Sequence, residues 1–126
     1  MVVKVQNIFL YDSSGRAVAL LRKNDGVVFS ISGWALAFLD DEYLYSFSGR
    51  QIGTFEDGWI RDVSGACVLF AKGACGFAPI KPVCQVDPVP AVLCVPPVKP
   101  VPAVPFVKAI KSCRWSGFDL GTFFGR

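Results

Sequence analysis

Tyr43-Leu44-Tyr45-Ser46-Phe47-Ser48-Gly49-Arg50 is one unit of a pattern that occurs four times in the first part of the chain. The pair Ser-Gly recurs as Ser14-Gly15, Ser32-Gly33, Ser48-Gly49 and Ser64-Gly65, with the glycines 18, 16 and 16 residues apart. Before each pair stands an apolar run: Phe9-Leu10-Tyr11-Asp12, Val27-Val28-Phe29-Ser30, Tyr43-Leu44-Tyr45-Ser46 and Trp59-Ile60-Arg61-Asp62. Three positions after each glycine comes an aliphatic residue (Val18, Leu36, Ile52, Val68), followed by a large apolar one at Leu20, Phe38, Phe55 and Phe70, the third offset by one. Aromatic and β-branched side chains suit a pleated, half-buried surface, and Ser-Gly supplies a turn residue that takes φ > 0. Each unit therefore reads as strand, tight turn, strand. Turn signals also separate the units: Asn24-Asp25-Gly26, Asp40-Asp41-Glu42, Glu56-Asp57-Gly58 and Lys72-Gly73. One hairpin is marginal in water, whereas four alike can share a core and protect their edges by closing on each other. The predicted fold is all-β, with four β-hairpin repeats in a closed pseudo-fourfold head over residues 1–78.

A second regularity follows the head. From Pro79 to Lys111 every third residue is valine or isoleucine: Ile80, Val83, Val86, Val89, Val92, Val95, Val98, Val101, Val104, Val107 and Ile110. All nine prolines of the chain lie in this stretch. A period of three fits neither an α-helix nor a strand. It fits polyproline II, whose φ is the value a proline ring imposes. Every charge of the stretch (Lys81, Asp87, Lys99, Lys108, Lys111) directly follows one of these aliphatic residues, so the arm has a valine edge, a Pro/Ala edge and a polar edge. Collagen is excluded because no glycine occurs between Gly76 and Gly117. A straight arm of this length reaches ~100 Å, several times the ~25 Å width of a small domain. The arm must therefore wrap, project toward other molecules or act as a spacer. Residues 112–126 then form an aromatic C-terminal anchor with Trp115, Phe118, Phe123 and Phe124, which either folds back onto the head or enters a neighbouring molecule.

Composition narrows the functional classes. No apolar run approaches the ~18 residues that span a bilayer, and Met1 to Leu10 has neither a basic n-region nor a continuous apolar core, so a cytoplasmic protein without a membrane span is expected. Five cysteines, an odd number without C-x-x-C spacing, read as free thiols. The chain has no histidine, which removes Ser-His-Asp and Cys-His arrangements and the usual metal sites. No P-loop or dinucleotide fingerprint occurs. Net charge is −1 over residues 1–78 and +4 over residues 79–126, so head and tail can attract each other. The positive charge is too sparse for a nucleic-acid surface. Asp40-Asp41-Glu42 reads as a solvated turn, and Asp12 and Asp62 as carboxylates that bond nearby backbone N–H groups.

The segment Tyr43 to Arg50, followed by Gly53-Thr54-Phe55-Glu56-Asp57-Gly58-Trp59-Ile60-Arg61-Asp62, resembles the bacterial 4-fold β flower domain family over roughly residues 5 to 75. The tail of this chain is more Val/Pro-rich and less basic than the Lys/Leu-rich tail of that family, which also has a short C-terminal aromatic segment. The resemblance implies a pseudo-fourfold β domain and brings no catalytic residue or cofactor. The expected function is a non-catalytic scaffold or assembly protein, not an enzyme. Its arm and aromatic C-terminus would mediate homo-oligomerisation or docking into a larger complex, with protein partners or a second copy as the occupants. The alternative is a small ligand- or peptide-binding β module with a self-packed tail, using repeat aromatics such as Trp34, Tyr43, Tyr45 and Trp59.

Overall fold

The computed structural model describes residues 7–76, 78–89, 91–105, 108–117 and 120–124. The head consists of eight strands: β1 (Asn7–Tyr11), β2 (Ala17–Arg22), β3 (Val27–Ser30), β4 (Ala35–Asp40), β5 (Tyr43–Tyr45), β6 (Gln51–Glu56), β7 (Trp59–Asp62) and β8 (Cys67–Phe70). Each pairs antiparallel with the next, and β8 returns to β1 to close a barrel. The four Ser-Gly pairs make the hairpin tips at one rim. There the N–H groups of Gly15, Gly33, Gly49 and Gly65 donate to the carbonyls of Asp12, Ser30, Ser46 and Asp62. All four glycines have positive φ, between 84° and 97°. At the other rim two of the three turns, Asp41-Glu42 and Asp57-Gly58, have only two residues. Asp57-Gly58 joins β6 to β7 with φ of 55° and 85°, the mirror-image turn whose twist matches a two-residue hairpin.

Each odd-numbered strand carries a register shift one residue before its end or at its end, at Leu10/Tyr11, Val28/Phe29, Leu44/Tyr45 and Ile60/Arg61. A bulge re-aims the side chains that follow it. Leu10, Val28, Leu44 and Ile60 pack inside with Ala19, Leu21, Ala37, Ile52 and Val68, drawn from all eight strands. Tyr11, Phe29 and Tyr45 pack instead into two clusters on the outer wall, with Trp59, Phe70, Phe38 and Leu20. The one-residue offset of Phe55 now has a consequence. A shift of one residue moves a strand side chain to the other face, and Phe55 packs on the interior cluster while Leu20, Phe38 and Phe70 lie outside.

The interior is completed from the far end of the chain. A five-residue helix, α1 (Leu120–Phe124), brings Phe123 and Phe124 into the barrel cluster, where each is 6% exposed and their rings meet edge to face at 5.0 Å. Gly53 makes room: a Cβ there would approach Phe123 Cζ to 3.2 Å and the Arg61 carbonyl oxygen to 2.1 Å. The β1–β8 seam is thin, with Tyr11 and Phe70 as its one paired position. Aromatic packing reinforces it, since Trp115 meets Trp59 edge-on (5.7 Å) and Phe70 at a tilt (6.0 Å), and its neighbours exchange backbone hydrogen bonds with Cys67.

Candidate interaction surface

Between head and α1 the described tail residues form no helix and no named strand. They run across all four hairpin tips in chain order. The backbone N–H groups of Gln85, Cys94, Ala103 and Ser112 donate to the carbonyls of Gly15, Gly33, Gly49 and Gly65 at 2.8, 2.8, 2.9 and 3.2 Å. Two residues before each donor, the carbonyl of Val83, Val92, Val101 or Ile110 lies over the same glycine. A Cβ at Gly15, Gly33 or Gly65 would come within 2.1, 2.4 or 2.3 Å of that oxygen, and at Gly49 within 3.1 Å. The tip glycines are therefore required twice, for their φ and for the passage of the tail. The donors are nine residues apart throughout. The tail is thus a second fourfold repeat of nine residues, three triplets to each hairpin. The triplet rhythm hid this longer period, because the side chains that share a place in it (Gln85, Cys94, Ala103, Ser112) have nothing in common. Only the hydrogen-bond ladder reveals it.

Side chains fasten the strap between the tips. The Tyr11 hydroxyl donates to Asp87 Oδ1 (2.5 Å), and Tyr45 donates to the Ala103 carbonyl (2.9 Å). Burial and the neighbouring Asp87 carboxylate push the Tyr11 phenol well above its ordinary range. In the fourth repeat Arg61 stands where the others have a ring. Its guanidinium donates to the Gly65 carbonyl (2.7 Å) and the Ser112 carbonyl (2.9 Å). Here, with Phe55 turned inward, the outer wall is polar. Gln51, Thr54, Glu56, Arg61 and Lys108 line a cleft of about 90 Å³. Lys108 bonds Glu42 and lies 3.0 Å from Glu56, which raises its pKa further above the ordinary lysine value. Lys111 lies 3.3 Å from Asp57. Lys99 bonds the Asp25 carbonyl and sits over the Phe38 ring. The acidic turns of the head thus receive the basic side chains of the tail.

Since these contacts use the polar and Pro/Ala edges, the third edge faces away from the head. Ile80, Val83, Val86, Val89, Val92, Val95, Val98, Val101, Val104 and Ile110 are 88–95% exposed. Val107 and Phe118 lie outside the described residues. Trp115 is half-buried on the outer wall, and Phe123 and Phe124 are inside the chain's own barrel, so the valine edge is separate from these aromatics. Among the repeat aromatics, Tyr45 and Trp59 are buried, Tyr43 packs in the cluster of Tyr45, and Trp34 stands 59% exposed at the second tip. At about 100 Å² for each aliphatic side chain, the ten exposed side chains present on the order of 1,000 Å² of apolar surface.

A model of the family described as 4-fold beta flower protein matches residues 8–124. The chain belongs to the 4-fold beta flower family. The match runs through the strap and into α1, so in this beta flower the family likeness covers the tail as well as the four hairpins. No curated protein and no solved structure matches the chain. Among the described residues no three His, Cys, Asp or Glu side chains gather as a metal site, and no helix is long and apolar enough to cross a membrane.

Proposed function

We propose that this beta flower is a non-catalytic assembly protein whose valine edge joins it to further copies of itself. One observation carries the reading: ten aliphatic side chains in phase, all about nine-tenths exposed, on a segment whose two other edges are tied to the head. A spacer has no need for such sorting. The outward edge carries no charge, because the tail's lysines and Asp87 turn to the head. An uncharged aliphatic surface is complementary to another of the same kind. The sequence period of three supports the same reading, since a segment with three residues per turn keeps every third side chain on one side.

Light scattering on the full chain and on a Val95→Asp/Val98→Asp double variant tests this. The expected result is a multimer that falls to lower mass in the variant, with an unchanged far-UV spectrum. A monomeric parent, or a multimer of unchanged mass in the variant, sinks the reading.

A further inference from the structure

Four segments of the tail hold the head through the same pair of contacts, although their side chains differ. What they share is backbone. Each meets a tip carbonyl that accepts its N–H, a glycine whose missing side chain admits its carbonyl, and a spacing that brings the next bond into reach nine residues later. Behind these lie Tyr45, which donates to the Ala103 carbonyl, and Arg61, which donates to the Ser112 carbonyl. Backbone bonds to a pre-extended segment over an aromatic wall are how grooves hold proline-rich peptides. The ordering cost is low because proline pre-sets the chain.

We propose that the hairpin quarters at Gly15, Gly33 and Gly49 are binding sites for a proline-rich nonapeptide of the kind the tail supplies there, and that the tail of a second copy can occupy them in place of the resident one. Both copies carry the same four segments, so every bond made within a chain is available between chains. Exchange of an identical element between protomers needs no new surface. The third quarter is the best defined: Pro97-Val98-Lys99-Pro100-Val101-Pro102-Ala103-Val104-Pro105 carries four prolines and is held by both Gly49 and Tyr45. The site uses the edges of the tail opposite the valines, so it stands or falls separately from assembly through the valine edge.

The test keeps the full chain. Ala103→Pro deletes the N–H that bonds the Gly49 carbonyl while leaving an extended backbone, and so loosens the third quarter alone. The variant is titrated, up to about the millimolar effective concentration of a tethered segment, into a trace of a fluorescein-labelled synthetic peptide of residues 97–105. Fluorescence anisotropy should rise saturably. The same peptide with proline in place of Ala103 should bind about tenfold more weakly, the loss expected for one hydrogen bond. A scrambled peptide should not bind. If circular dichroism shows Ala103→Pro unfolded, Pro102→Gly, which loosens the resident segment and leaves the head's own groups in place, replaces it. Absence of saturable binding to the folded variant, or equal binding of the scrambled or proline-substituted peptide, overturns the proposal.

Discussion

At the scale of single residues, the tip glycines and the aspartates beside them carry the most specific consequences. Gly33 and Gly73 both have positive φ, 97° and 83°, so alanine is strained at either. They differ in surroundings. A Cβ at Gly33 meets the Val92 carbonyl at 2.4 Å, whereas nothing lies within 4 Å of one at Gly73. Gly73→Ala is expected to cost about 1–2 kcal/mol. Gly33→Ala should cost a further ~1–3 kcal/mol, because the strap must shift and its hydrogen bond is left unmade. Urea titrations of the two variants check the difference, and equal midpoints would remove the strap from the account. Asp62 supplies a pH prediction. Burial alone would raise its pKa, but hydrogen bonds from Ser64, Ser116 and the Ala66 N–H outweigh burial and hold the carboxyl below its ordinary 3.8. Asp12 and Asp25 are lowered likewise. A folded-state pKa below the unfolded one adds stability that is present above the unfolded value and lost as pH falls through the folded value. Stability should be level from pH 7 to about 5 and decline below about pH 4. Asp62→Asn should flatten part of that decline in denaturation midpoints measured across this range.

At the scale of elements, α1 and the strap are parts of the fold rather than appendages. Phe123→Ala empties a ring from the barrel interior, and a buried Phe→Ala change costs about 3–5 kcal/mol. Thermal unfolding of that variant should show a large loss, and a shift of only a few degrees would mean that the barrel closes without its plug. The nine-residue register makes a sharper prediction. Inserting one triplet, Pro-Val-Ala, after Pro105 preserves the valine edge but misplaces Ser112 against Gly65, and with it the approach to α1. The expected outcome is destabilisation comparable to loss of the plug, read by the same melt. If any triplet insertion were tolerated, only the period of three would matter.

At the scale of the whole molecule, head and tail fold as one. A chain cut at residue 78 would lose the interior Phe123 and Phe124, the Trp115 packing at the β1–β8 seam and the strap over the outer aromatic clusters. The valine edge then makes a solvent prediction that separates it from the head–tail ion pairs. Association through apolar surface strengthens with sulfate, while exposed ion pairs such as Lys111 with Asp57 are screened by any salt. Sedimentation of the full chain should show mass rising with ammonium sulfate and insensitive to moderate sodium chloride. Mass that falls with sodium chloride would place assembly on the charges instead.

Much of this protein was readable in one dimension. The four Ser-Gly units and their alternating apolar flanks specify four hairpins, because turn chemistry and the two-residue period of a strand are local properties. Even the displaced Phe55 was visible as an offset before its inward turn explained it. The triplet phase of the tail likewise sorted its edges from sequence alone. The tertiary structure decided which edge met what. Whether valines point to the head or away from it depends on the tip carbonyls and the acidic turns, which compete for the backbone and for the lysines, and no local pattern records that competition. The nine-residue period is carried by N–H groups, which are the same in every residue but proline, so it leaves little mark on side-chain identity. The entry of Phe123 and Phe124 into the barrel depends on the space that Gly53 leaves about seventy residues earlier in the chain, a long-range fit of volumes that only the closed fold can express.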